Sequence, residues 1–290
     1  MQHPERPTPE TSELRSIEAR VAGQQHGPIA RLISPGDLGE RLKPFIFLDF
    51  FNAEIEPGFG FGMHPHSGIA TLTWQPGSDV RYQDTTGKNG VLKAGGLEWM
   101  NAGGGAWHQG SLLGHGQVTG FQLWVPMPPV IEDGPSFGQY VEPEQVPEFH
   151  VNGGSIKVLL GSIQHDGSSH QSLINSHHDI DYFVLTLEAG AVWRYAPPAR
   201  HDIAWGFAFE GHPLIQGEPS KDTLLVLGES GDIEIKAVGE PARILIGTAS
   251  RYSHPLVLGP HSVHSNANSL AEGAQRIQAL RIDLINRGLI

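Results

Sequence analysis

The chain contains no cysteine. Disulfides, thiolate nucleophiles, zinc fingers and cysteine-ligated iron–sulfur clusters are therefore excluded. Cationic side chains are also scarce: 19 Lys and Arg stand against 31 Asp and Glu, a formal net charge of -12 with histidine neutral. A field of that sign repels a phosphate backbone and no basic run offsets it, so direct nucleic-acid binding is not expected. No segment offers the roughly 20 apolar residues that a membrane-spanning helix needs. The start MQHPERPTPETSELR has neither the basic nor the apolar stretch of a signal peptide. We expect no membrane partner and a cytoplasmic location, with which the missing cysteine agrees.

Turn formers, in contrast, are abundant, with 37 glycines and 22 prolines in 290 residues. Between them stand short apolar runs such as PFIFLDFF, GIATLTW, FQLWVPM, DYFVLTL and ARILIGT. Runs of about five to eight residues bounded by such turns predict a mostly antiparallel β protein. The proline-rich stretch from Pro126 to Pro147 cannot form a continuous central strand, and we place a domain junction there. The expected division is a tail over 1–27, an N-terminal unit over 28–135 and a C-terminal unit over 136–290. In the tail, Thr8–Pro9 can open a helical turn with Leu14, Ile17 and Val21 on one stripe, the alternative being a frayed end. Near the C-terminus, Ser269-Leu-Ala-Glu272 has a capping-box pattern. Leu270, Ala274, Ile277, Leu280 and Leu284 then recur at helical spacing, predicting a helix over Ser269–Asn286 that covers a sheet.

Sixteen histidines are present, and their spacing matters more than their number. His64-Pro-His66 in an extended segment turns both imidazoles to one face. His108 follows Asn101-Ala-Gly-Gly-Gly-Ala-Trp, where glycines allow positive φ or close backbone approach, and a β-hairpin can return it to the first pair. Three neutral imidazoles suit iron, nickel, copper, zinc or cobalt better than calcium or magnesium. Phe51, Phe59, Phe61, Trp74, Trp99, Trp107 and Trp124 flank these histidines and can build either a pocket for a small planar aromatic ligand or a packed core. Asp84 and Glu98 are nearby acids that spacing does not rank. His254, His261 and His264 form a second group on a Gly-Pro turn, without a repeated His-X-His.

Several motifs in order resemble the pirin family of the cupin superfamily: PFIFLDFF, His64-Pro-His66-Ser-Gly, Arg81-Tyr-Gln-Asp84, and Leu97-Glu-Trp-Met-Asn-Ala-Gly-Gly-Gly-Ala-Trp-His108. The resemblance extends over about residues 28 to 286. It implies an all-β fold of two cupin, jelly-roll-like β-barrels with a C-terminal helix. It also implies a mononuclear divalent metal on His64, His66 and His108, iron first, with nickel, copper, zinc, cobalt or manganese as alternatives. The family's fourth ligand, a glutamate two residues after the last histidine, falls on Gly110 here. In related flavonol dioxygenases that carboxylate accepts the substrate's hydroxyl proton. The adjacent Gln109 should point away from the site in an extended strand. A second glutamate expected four residues beyond His66 is replaced by Ala70. The functions implied are a quercetin 2,3-dioxygenase-like oxygenase acting on a flavonol or another planar oxygenated substrate, or a non-catalytic ligand- or protein-binding module. A metal-assisted isomerase or hydrolase is a third class. Oligomeric state is left open, a monomer included.

Overall fold

The computed structural model describes residues 13–290. The N-terminal half supplies β1 (Ile17–Val21), β2 (Gln24–His26), β3 (Ile29–Ile33), α1 (Leu38–Leu42), β4 (Phe47–Ile55), β5 (Gly60–His66) and β6 (Ile69–Trp74). It continues through β7 (Val80–Asp84), β8 (Asn89–Leu92), β9 (Leu97–Asn101), β10 (Ala106–Leu112), β11 (Gly116–Pro126) and β12 (Phe137–Val141). Then follow β13 (Glu148–Val151), β14 (Gly154–Leu160), β15 (Ser162–His165), β16 (Ser168–Gln171), β17 (Ile180–Leu187), β18 (Val192–Tyr195) and β19 (Ile203–Glu210). The chain closes with β20 (Leu214–Ile215), β21 (Glu218–Pro219), β22 (Leu224–Leu227), β23 (Ile233–Lys236), β24 (Ala242–Ala249), β25 (Val257–Gly259), β26 (Ser262–His264) and α2 (Ala267–Asn286). None of the helices among the described residues is long and apolar enough to cross a membrane.

The expected β architecture and C-terminal helix are present, but the two closed barrels are not. The strands form open sheets: a seven-stranded sheet in the order β12-β9-β6-β11-β4-β3-β2 and a four-stranded one, β5-β10-β7-β8. The later chain repeats the scheme with a seven-stranded sheet β1-β22-β19-β24-β17-β14-β13 and a four-stranded sheet β18-β23-β20-β21. Local alternation and turn spacing read the same for an open or a closed sheet. Closure depends on whether the edge strands pair with each other, and here they do not.

The largest apolar cluster lies between the two seven-stranded sheets, not inside either half. Leu48, Phe50, Leu72 and Trp74 from the first meet Tyr182, Trp205, Phe207 and Val226 from the second. Because side chains alternate faces along a strand, Phe51 turns the opposite way and joins Val80, Leu112 and Val118 toward the four-stranded sheet. A central strand covered on both faces carries little polar alternation, which explains runs such as FIFLDFF.

Two expectations change, while the expectation that the proline-rich segment forms no central strand holds. Ile17–Val21 is not a helical stripe but strand β1, antiparallel to β22 of the second half; Thr8–Pro9 lies outside the described residues. The proline-rich segment contributes β12, an edge strand paired with β9. Helix α2 starts at Ala267, two residues before Ser269, and its cap is Asn266, whose side chain accepts from the backbone N–H of Asn268 and Ser269. Ser269 lies inside the first turn, its backbone N–H held by Asn266 Oδ1 and its hydroxyl donating to Asp133 at 2.6 Å. Just past the end of the helix, Gly288 adopts φ 67°.

Candidate metal centre

Strand β5 is the edge of its sheet, where Pro65 lacks an N–H without cost to an inner ladder. His64 and His66 project from it two residues apart. Strand β10 brings the third histidine alongside, with His108 in register with His64 and Trp107 with Pro65. The return is not a hairpin: β6 to β9 lie between β5 and β10 in the chain. The glycine run before β10 packs closely against the 133–135 segment and α2. Gly103 has φ 49°, and a Cβ there would lie 2.3 Å from the Gly134 carbonyl; at Gly104 it would meet the Arg276 guanidinium at 1.8 Å.

The three imidazoles converge. Ring centroids are 5.0 Å apart for His64 and His66, 4.5 Å for His64 and His108, and 5.1 Å for His66 and His108. One ligand nitrogen of each lies within 4.8 Å of the others, and among the described residues this is the one cluster of three or more such side chains able to hold an ion. His66 and His108 are buried and His64 half-buried.

Every Nδ1 is already engaged. His64 Nδ1 lies 2.7 Å from the Gly62 carbonyl, His66 Nδ1 2.8 Å from the His261 carbonyl, and His108 Nδ1 3.1 Å from Glu98 Oε1. Carbonyls and carboxylates only accept, so each Nδ1 carries the proton and each Nε2 keeps its lone pair. The Nε2 atoms of His66 and His108 are buried without a hydrogen-bond partner among the described residues. Burial chiefly, and then His108, push the His64 imidazole down to about 4, against the pull of the Gly62 carbonyl. His66 is held well below the ordinary histidine range by burial, His108 and His64. Imidazoles whose Nδ1 is engaged and whose Nε2 faces the other two rings are the donor set that a divalent transition metal requires. The residues fit the ion.

The site opens on a cavity of about 80 Å3 lined by Phe51, Phe59, Phe61, Val80, Leu112 and Phe121, with Glu98 and Gly110 at the histidine side. Gly110 faces this space as expected. An added Cβ would meet only Val80 Cγ1, at 3.4 Å, and no positive φ opposes a side chain. Gln109 points away and donates to Gln83 at 3.1 Å.

The aromatic residues divide. Phe51, Phe59 and Phe61 line the cavity, whereas Trp74 and Trp99 belong to the large core. Trp124 packs against His66 at 4.9 Å, and Trp107 donates through Nε1 to the Ile277 carbonyl of α2. Ala70 also belongs to the large core. The missing carboxylate at this position therefore faces the packing between sheets and not the three histidines.

The two acids separate as well. Glu98 is buried against His108, while Asp84 is occupied by Thr86, Lys88 and the Tyr140 hydroxyl. The partner of His66, the His261 carbonyl, escaped sequence reasoning, although the Gly-Pro turn that carries it was visible. His264 is buried against Ser67 Oγ at 2.9 Å and belongs to no three-residue ligand cluster among the described residues.

The pirin family profile matches residues 28–125. A Pseudomonas aeruginosa protein named as a candidate quercetin 2,3-dioxygenase is 32% identical over 243 residues, covering 79% of this chain and 84% of that protein. Among solved structures, a quercetin 2,3-dioxygenase from Acinetobacter baumannii superposes with a TM-score of 0.80 at 22% identity, over 95% of this chain and 98% of that one. A bacterial pirin from Escherichia coli in complex with nickel(II) gives 0.60 at 20% identity, over 79% and 95%. Likeness at those identities speaks for the fold.

Proposed function

We propose, for a chain that belongs to the pirin family, that His64, His66 and His108 hold one divalent transition metal, iron first, and that the adjoining cavity receives a planar oxygenated substrate for dioxygen-dependent oxidation. The observation that carries this reading is the convergence of three imidazoles whose Nδ1 atoms are all engaged, leaving the Nε2 lone pairs for an ion. A bound metal would supply Lewis acidity and, if redox-active, a path for electrons between substrate and dioxygen. The protein's part is to orient the rings, exclude water with Phe51, Phe59 and Phe121, and hold Glu98 beside His108. In this reading residues 28–135 carry the chemistry and 136–290 cover and buttress it, in the cytoplasm.

Anaerobic purification, iron loading, metal analysis and oxygen-uptake assays with quercetin and simpler phenols test the proposal. A single ion per chain, lost in His66→Ala and His108→Ala, with oxygen consumption that follows the metal, is the expected result. A correctly folded chain that retains no metal after loading would overturn it. Gly110 favours a second reading, a metal centre without turnover, because no carboxylate stands at the family's fourth ligand position. Tight metal binding with no oxygen uptake on any phenol would select that reading.

A further inference from the structure

The polar groups around the cavity bear on what enters it. Its lining includes two carboxylates, Asp49 and Glu98, and neither lysine nor arginine. Asp49 is satisfied, since its cross-strand neighbour Arg31 binds both its oxygens at 2.7 and 2.9 Å, with its guanidinium over Phe47. Glu98 uses Oε1 toward His108, and among the described residues its second oxygen has no hydrogen-bond partner. Gln75 also lines the cavity and is 8% exposed. Its amide oxygen is buried without a hydrogen-bond partner among the described residues. An unpaired buried amide and a half-paired buried carboxylate are costly unless something in the cavity completes them.

Their spacing is set by the sheet. Glu98 is in register with Thr73, and Gln75 follows Thr73 by two residues on the same face of that chain segment. Two residues of extended chain advance about 7 Å. One substituted ring spans that interval, and apolar Phe51, Val80 and Leu112 flank it.

We infer that the cavity selects a compact, neutral, hydroxyl-bearing ring over an anionic one, with the free Glu98 oxygen accepting from a substrate hydroxyl near the metal end and the Gln75 amide contacting a polar group about one ring away. The inference rests on the proposed function and assigns two specificity residues to that site. A carboxylate or phosphate on the substrate would face Glu98 and Asp49 with no cationic side chain lining the cavity to receive it.

The test uses the full chain loaded with nickel(II) under nitrogen, its metal content measured first. Catechol and 3,4-dihydroxybenzoate are then titrated in calorimetry; they share the diol and differ by one charge. Catechol should bind at least about tenfold more tightly. Gln75→Met, nearly isosteric and remote from the histidines, should keep the metal and weaken catechol about tenfold. Gln75→Lys should reverse the preference, and Glu98→Gln, which still offers His108 an oxygen, should narrow the ratio. If 3,4-dihydroxybenzoate binds the original chain as well as catechol does, or if metal is retained and neither ring binds, the inference is overturned. Failure to hold nickel would instead count against the proposed function. The same ring pair titrated into the metal-free chain would then still decide selection by Glu98 and Gln75, catechol preference supporting it and equal binding refuting it.

Discussion

Glu98 and Gly110 pull the proposed metal centre in opposite directions. The carboxylate on His108 Nδ1 fixes the ring and increases the basicity of Nε2, and losing such a partner costs about 10–100-fold in metal affinity. Glu98→Ala should show that loss in competition with a metal chelator, and His108→Ala a larger one. At Gly110 the backbone tolerates a side chain and Val80 is the single close neighbour. Gly110→Glu should therefore add a fourth, negatively charged ligand and tighten metal retention. Chelator competition checks it, and unchanged affinity would show that the carboxylate does not reach the ion.

Elements from the far end of the chain steady this site. The β25–β26 turn places the His261 carbonyl on His66, and α2 lies across Ser67 and Trp107. Contact with α2 is close because position 273 is glycine: an added Cβ would lie 2.5 Å from Ser67 Oγ and 2.8 Å from His264 Nε2. Gly273→Ala should thus push the helix off, even though alanine is the better helix former. The expected cost is about 1–3 kcal/mol in denaturant unfolding, together with weaker metal retention through His66. A more stable variant would mean that helix propensity outweighs the contact.

Across the whole molecule, the core shared by the two seven-stranded sheets makes the halves interdependent. Phe207 of the second half meets Phe50 at 5.1 Å and Phe121 at 6.2 Å in the first. Phe207→Ala should cost about 3–5 kcal/mol. Both halves should unfold in one transition, with tryptophan fluorescence and metal release following the same denaturant curve; separate transitions would contradict the shared core. His178 gives this junction a pH dependence. Its Nε2 donates to the Pro126 carbonyl, and burial, reinforced by His177, lowers its pKa to about 4 despite that hydrogen bond. The unfolded chain therefore binds the extra proton first, near the ordinary histidine value of about 6.5. Stability should fall as pH drops from there to about 4 and lose nothing more from this group below. His178→Gln keeps a donor but does not titrate, so its Tm should vary less with pH across that window.

Much of the site was legible in local pattern. His64-Pro-His66 declares two rings on one face because strand periodicity is two, and the Gly103–Gly105 run declares a tight approach because side chains would collide there. The β class follows from short apolar runs between turns, and α2 from its helical period. Pairing between distant segments has no such local signature. The sheets' open edges, β1 joining β22, and β12 joining β9 all depend on which backbone groups meet after collapse. For the same reason the glutamate expected at Ala70 could be placed in the core only once the faces of β6 were assigned, and Glu98 was indistinguishable from Asp84 until β9 and β10 came together. Covalent order gives a side chain's type and its face along a strand. What that face meets is set by tertiary packing, and with it whether a buried histidine finds a carbonyl, a carboxylate or another histidine.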